Sequence, residues 1–218
     1  MRVGVLGTGM VGRTIGSRLA ELGHEVRMGS RRAGNEAAVE WAASAGEAAS
    51  EGSFEDAAGF GELIFNCTAG GASLEALAMA GEVNLHGKVL IDVANPLDFS
   101  GGMPPTLSIC NDDSLGERIQ AAFPESLVVQ ALNTMNCSVM VEPGRVPGEH
   151  VAFVCGENTG AKERVASLLG EFGWPAARIV DLGGIAASRG TEMYLPLWLA
   201  LYGKLGTGDF NVAIERAD

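Results

Sequence analysis

Three glycines near the start of the chain have the spacing of a phosphate-binding turn. They are Gly7, Gly9 and Gly12, between a short apolar run at residues 3–6 and an apolar periodic segment at residues 11–22. In a strand–turn–helix unit these glycines allow the tight turn, the close approach of a pyrophosphate, and close helix packing. The free N–H groups and dipole at the helix start attract the anion. The pattern favours a dinucleotide site over a glycine-rich surface turn.

The turn after the second predicted strand bears on the choice between NADP and NAD. It carries Ser30, Arg31 and Arg32, where NAD-binding proteins have an acidic residue on the ribose hydroxyl. Two guanidinium groups and a hydroxyl suit a 2′-phosphate instead. The chain has only 15 Lys and Arg against 27 Asp and Glu, so this basic turn stands out from a chain that is acidic overall. We predict NADP(H) as the cofactor; the alternative is a solvated basic turn.

Strand-like and helical segments alternate along the chain, which predicts an α/β fold. We expect a Rossmann-type doubly wound, mostly parallel sheet with helices on both faces and an extra C-terminal strand–helix appendage. Residues 1–218 are interpreted as a single domain. Its dinucleotide-binding core would cover residues 1–135, and an extension ending in an apolar helix would cover residues 136–218.

Five loops follow predicted strands, and in a parallel sheet they should meet at one edge. They lie at residues 7–12, 30–32, 67–71, 94–96 and 131–134.

Other segments have local predictions. We expect a helix over residues 35–49, an ordered loop over 97–111, irregular structure over 135–150, and a terminal helix from about 187 to 203. Whether residues 97–111 move as a lid is left open.

Composition excludes several classes of protein. The net charge of −12 disfavours nucleic acid as a partner. The longest apolar stretch near the end is too short to span a membrane, and no secretory signal is evident, so we expect a cytoplasmic protein. Cys67, Cys110, Cys137 and Cys155 are interpreted as buried reduced thiols, and the three histidines offer no metal site.

The glycine turn, the segment at residues 23–26 and the basic turn at 29–32 resemble the NADP oxidoreductase, coenzyme F420-dependent family. The nucleotide-binding domain of the STEAP ferric reductases is similar. The resemblance continues at residues 131–134 and at Ser188-Arg189-x-x-Glu192. It implies direct hydride transfer between NADPH and stacked F420, with no obligatory proton-transfer residue. We expect the acceptor to be F420 or a flavin-like ring such as FMN or FAD.

The resemblance also implies a set of site residues. Those that would bind NADP or border its nicotinamide are Gly7, Thr8, Gly9, Met10, Val11, Gly12, Ser30, Arg31, Arg32, Cys67, Thr68, Ala69, Ala94, Asn95, Pro96 and Ala131. Asn133, Arg189 and Glu192 would face a second cofactor or substrate, although Arg189 and Glu192 could instead form a surface ion pair. No catalytic residue is assigned.

The chain departs from the family pattern at two places. Asn133 stands where F420 reductases commonly have His, and Ala69-Gly70-Gly71 stands where the family can have Trp-Glu-His. Both places are where the second ring would sit. The small loop could make room for a larger partner or merely be reshaped.

The function that we favour is NADPH-dependent oxidoreduction with a small-molecule acceptor. The alternative is a non-catalytic NADP(H)-binding sensor or partner-binding module, because no acid–base residue is evident. A carbonyl or imine dehydrogenase ranks lower, since Cys67, Asn133 and Thr134 are poor proton donors.

An apolar stripe at Tyr194, Leu197, Trp198 and Leu201 predicts core packing or a homodimer through the C-terminal helix.

Overall fold

Strands and helices alternate along residues 1–217, the part of the chain that this computed structural model describes. The strands are β1 Arg2–Leu6, β2 Glu25–Ser30, β3 Ala49–Ser53, β4 Leu63–Asn66, β5 Val89–Asp92, β6 Leu97–Asp98, β7 Thr106–Leu107, β8 Leu127–Ala131, β9 Ala152–Cys155 and β10 Ile179–Asp181. The α-helices are α1 Met10–Glu21, α2 Glu36–Ala45, α3 Phe54–Phe60, α4 Ser73–Ala80, α5 Glu82–Leu85, α6 Leu115–Ala122, α7 Cys137–Val141, α8 Thr159–Glu171, α9 Ser188–Met193 and α10 Leu195–Leu205. Short 3-10 turns lie at Gly70–Ala72, Pro143–Arg145, Ala176–Arg178 and Ile185–Ala187.

Eight of the strands form one sheet in the order β10-β9-β8-β5-β4-β1-β2-β3. Neighbours run parallel except β8 and β9, which are antiparallel. Two buried apolar clusters contain residues of the same strands, with Val3 and Val5 in one and Leu6 in the other. Side chains of a strand alternate between its faces, so helices cover both faces of the sheet. The predicted doubly wound fold is confirmed.

The helix predicted over residues 35–49 ends early. Asn35 caps it as expected by accepting a hydrogen bond from the Ala38 N–H at 3.2 Å, but Gly46 at φ +91° ends it after Ala45. Residues 49–53 instead form the edge strand β3, paired with β2. This strand has no β-branched or aromatic residue, so strand propensity gave no signal.

Three other segments differ from their predictions. The supposedly irregular residues 135–150 contain α7, which is capped by Asn136. Residues 97–111 contain the two-stranded β6–β7 sheet. The predicted terminal helix is two helices, α9 and α10, joined at Tyr194 with Pro196 in the first turn of the second. Proline is tolerated there because first-turn N–H groups have no helical partner.

The cysteine prediction was wrong at one position. Cys67, Cys137 and Cys155 are buried, but Cys110 is exposed, and all four are free thiols. Within residues 1–217, no helix combines the length and the apolar character needed to cross a lipid bilayer.

Candidate cofactor site

A cavity of about 620 Å³ opens beside the carboxyl ends of β1, β2 and β4. The strand order reverses between β1 and β4, which is where doubly wound sheets bind ligands. Nine predicted cofactor residues line it: Gly7, Thr8, Gly9, Ser30, Arg31, Arg32, Cys67, Thr68 and Ala69. The other lining residues are Asn35, Phe54, Ala72, Glu75, Ala76 and Met79.

The three glycines of the turn have separate structural roles. Gly7 has φ +118°, and a Cβ there would lie 2.6 Å from the Cys67 carbonyl oxygen. A Cβ on Gly12 would lie 2.1 Å from the Gly7 carbonyl oxygen. A Cβ on Gly9, by contrast, would meet nothing within 4 Å, so the backbone at Gly9 is open to a ligand.

The start of α1 suits an anion. Gly9 is the N-cap residue, and no side chain caps this helix. The first-turn N–H groups of α1 therefore have no side-chain partner, and their dipole faces the open turn. A pyrophosphate fits this arrangement, since it would accept those hydrogen bonds without contacting a side chain.

The basic turn brings two guanidinium groups to the same cavity. Arg31 and Arg32 are exposed, and within residues 1–217 neither side chain forms an ion pair or hydrogen bond. The Ser30 hydroxyl is buried and donates to the Arg32 carbonyl oxygen at 2.5 Å. The hydroxyl thus holds the turn in shape, while the two guanidinium groups remain available for a phosphate.

A buried polar network connects the loops that follow β4 and β5. Asn66 donates to Asp92 Oδ1 at 2.7 Å and to Ser73 Oγ at 3.0 Å. The Thr68 hydroxyl donates to Asn66 Oδ1 at 2.7 Å, and the Ala94 N–H donates to Asp92 Oδ1 at 3.3 Å. Burial raises the pKa of Asp92 to about 7, although the Asn66 hydrogen bond partly opposes this rise. The network fixes Thr68 at the cavity wall.

The predicted residues at the ends of β5 and β8 also meet, but outside this cavity. Asn95 Nδ2 donates to the Asn133 carbonyl oxygen at 2.8 Å, and Asn133 Nδ2 donates to Asn95 Oδ1 at 3.0 Å. A Cβ on Gly70 would lie 2.1 Å from the Asn95 carbonyl oxygen. The glycine in the short loop is therefore required by close backbone packing.

Several other predicted residues lie outside the 620 Å³ cavity as well: Met10, Val11, Gly12, Ala94, Pro96 and Ala131. Met10 is 63% exposed at the start of α1. Gly12 packs against the glycine turn itself.

The alternative ion pair between Arg189 and Glu192 does not form. Arg189 binds the Glu117 carboxylate with two hydrogen bonds, of 2.7 Å from Nε and 2.5 Å from a terminal nitrogen. This guanidinium lowers the pKa of Glu117. Arg189 therefore has a carboxylate partner within the chain, so an incoming anion would compete with Glu117.

Glu192 is buried, and its carboxylate lies at the start of α6. Its carboxylate accepts from the Leu115 and Gly116 N–H groups at 2.9 and 3.1 Å, and from Gln130 Nε2 at 2.7 Å. Burial raises the pKa of Glu192. The Ser-Arg-x-x-Glu pattern thus fastens α9 to α6, and the prediction that Glu192 faces a second ligand is not supported by its contacts.

One wall of the cavity, formed by α4 and the residue before it, was not predicted from the sequence. Glu75, Ala76 and Met79 belong to α4, and Ala72 ends the 3-10 turn just before it. The pairs 72/76 and 75/79 are four residues apart, which puts these residues on one side of the helix. The available signal was the position of α4 directly after the loop at residues 67–71.

The family description "NADP oxidoreductase coenzyme F420-dependent" matches residues 2–96. A solved structure of a provisionally named F420-dependent NADP reductase from Arthrobacter sp. FB24 is 49% identical, covers 98% of this chain and 99% of that chain, and has a TM-score of 0.92. Metalloreductase STEAP3 from Rattus norvegicus is 26% identical over 202 residues, which are 90% of this chain. The chain spans only 38% of the length of that relative.

A hypothetical protein from Sinorhizobium meliloti, SMa0349, has the same fold. It is 21% identical, with a TM-score of 0.67, and the match covers 86% of this chain and 87% of that chain.

Substitution of two glycines should separate folding from binding. Gly12→Ala should lower the free energy of unfolding by about 1–3 kcal/mol, because its methyl group has no room. Gly9→Ala should leave the melting temperature near that of the parent but weaken NADPH binding by about tenfold or more. Thermal unfolding and fluorescence titration measure the two effects. A folded Gly9→Ala variant with parental NADPH affinity would contradict the role given to this turn.

Asp92 should make stability depend on pH. Its pKa is raised in the folded protein, so folding is favoured at low pH and this contribution declines as pH rises from about 4 to about 7. Relative to Asp92→Asn, the free energy of unfolding of the parent should fall by up to roughly 1.4 kcal/mol per pH unit in that window. Urea unfolding of both proteins at pH 5 and pH 8 tests this expectation. An unchanged difference between them at the two pH values would refute it.

Proposed function

The chain belongs to the NADP oxidoreductase, coenzyme F420-dependent family, and on that premise we propose that it transfers a hydride between NADP(H) and F420 or a flavin-like ring. The observation that carries the proposal is one cavity with two complementary features. The uncapped start of α1 and the unpaired guanidinium groups of Arg31 and Arg32 both border it. The first suits a pyrophosphate and the second a 2′-phosphate.

NADPH, when bound, supplies a hydride, and a deazaflavin or flavin acceptor gains that hydride together with one proton from solvent. The protein binds and orients the reactants and need not transfer a proton itself. Backbone N–H groups of α1 would hold the pyrophosphate. The loops that carry Asn95 and Asn133 would border the reacting rings, because they follow the neighbouring strands β5 and β8 at the same edge of the sheet.

We propose that the protein is a homodimer that works in the cytoplasm. The apolar helix α10 buries only Leu195, while Leu197 and Leu205 are 57% and 55% exposed. Trp198 already stacks on Tyr202 and on Phe210 of its own chain. A second copy of α10 would remove the exposed leucines from water. A single species of monomer mass in sedimentation at micromolar concentration would overturn the dimer.

The proposal is tested by anaerobic oxidation of NADPH with F420, FMN or FAD as acceptor, each repeated with NADH. We expect turnover of NADPH with a deazaflavin or flavin, and much slower turnover of NADH. Tight NADPH binding without turnover on any acceptor would favour the alternative, a non-catalytic NADP(H) sensor. Absence of NADPH binding would refute both functions.

The arginines should determine the preference for NADPH. Arg31→Ala and Arg32→Ala should each weaken NADPH binding by about tenfold or more, because a hydrogen bond to a charged group is worth about 1.5–3 kcal/mol. The Kd for NADH should stay unchanged, since NADH has no 2′-phosphate. Titration of both cofactors measures this, with Arg164→Ala on the exposed side of α8 as the matched control. If a variant with both Arg31→Ala and Arg32→Ala kept the parental NADPH affinity, the role of these arginines in binding the 2′-phosphate would be contradicted.

A further inference from the structure

The α4 wall of the cofactor cavity carries a carboxylate in an otherwise apolar surface. Glu75, Ala76 and Met79 line the cavity from this helix, Ala72 lines it from the turn just before, and Phe54 adds an aromatic ring. Among the described residues, Glu75 is the one acidic side chain that lines it. The Glu75 carboxylate forms no hydrogen bond or ion pair within residues 1–217.

Glu75 is an exposed residue in the first turn of α4, at the wall of a cavity suited to phosphates. The other charged side chains lining it are Arg31 and Arg32, and the start of α1 also favours negative charge. A carboxylate would repel a phosphate rather than bind it. Its presence there is explained if the ligand offers Glu75 a hydrogen-bond donor, because an ionised carboxylate only accepts.

The proposed binding of NADP(H), on which this inference rests, leaves one group for the α4 wall. The glycine turn takes the pyrophosphate and the basic turn takes the 2′-phosphate, so the base of the adenosine half remains. Adenine is flat and apolar on its faces, which suits Ala72, Ala76 and Met79. Its edge carries an exocyclic amine that donates hydrogen bonds.

We propose that Glu75 accepts a hydrogen bond from the exocyclic amine of adenine and thereby selects adenine nucleotides over those with a 6-oxo purine. A 6-oxo purine presents an acceptor oxygen at that position. The Glu75 carboxylate would then face an oxygen lone pair of the base. The hydrogen bond would be lost, and the two oxygens would repel each other. Glu75 is thus a specificity-determining residue for the base, separate from the arginines that read the 2′-phosphate.

The test compares the Kd of NADPH with that of its hypoxanthine analogue, in which an oxygen replaces the amine. The parent should bind NADPH about tenfold more tightly than the analogue. Glu75→Ala and Glu75→Gln should reduce this ratio to near one. Alanine offers no hydrogen-bonding group, and the glutamine amide can accept from the amine or donate to the oxygen. Both should keep the preference for NADPH over NADH. Glu82→Ala, which removes the same charge outside the cavity, is the control and should keep the parental ratio.

The outcomes separate this inference from the proposed function. If NADPH binds but Glu75→Ala keeps the parental ratio, the inference is overturned and the NADP site remains. The inference is also overturned if Glu75→Ala tightens both nucleotides equally, since the carboxylate would then only repel phosphate. If the parent fails to bind NADPH, the proposed function falls and this inference falls with it. Melting temperatures near the parental value would show that the variants are folded.

Discussion

The cofactor cavity depends on how closely the start of α1 packs against β1 and β4. A Cβ on Gly12 would lie 2.1 Å from the Gly7 carbonyl oxygen, and a Cβ on Gly7 would lie 2.6 Å from that of Cys67. Three backbone segments are therefore within contact distance, and only glycine permits this approach. The packing points the first-turn N–H groups of α1 at the crevice where the strand order reverses.

Around this contact, buried polar groups hold the loops that border the site. Asp92 and Asn66 connect the ends of β5 and β4, and Asn95 and Asn133 connect the ends of β5 and β8. Glu192 supplies a carboxylate to the start of α6 from a helix more than 70 residues further along the chain. Each of these groups has a partner inside the protein, so the cavity meets its ligand with loops already in place.

The sequence predicted what local patterns determine. The glycine spacing, the basic turn at Arg31 and Arg32 and the Asn35 cap are features of short segments, and they lie where the patterns indicated. Contacts between distant segments were not predictable. The binding of Arg189 to Glu117 and the capping of α6 by Glu192 arise only when α9 packs on α6, and the α4 wall joins the cavity only in the folded sheet.

The central claim is that this cavity binds the 2′-phosphorylated adenosine half of NADP(H). The most direct measurement is calorimetric titration of the wild-type chain with 2′-phospho-ADP-ribose and with ADP-ribose. We expect one site per chain for the phosphorylated compound, an affinity at least about tenfold above that of ADP-ribose, and displacement by NADPH. Equal affinity for the two compounds, or binding that NADPH does not displace, would contradict the claim.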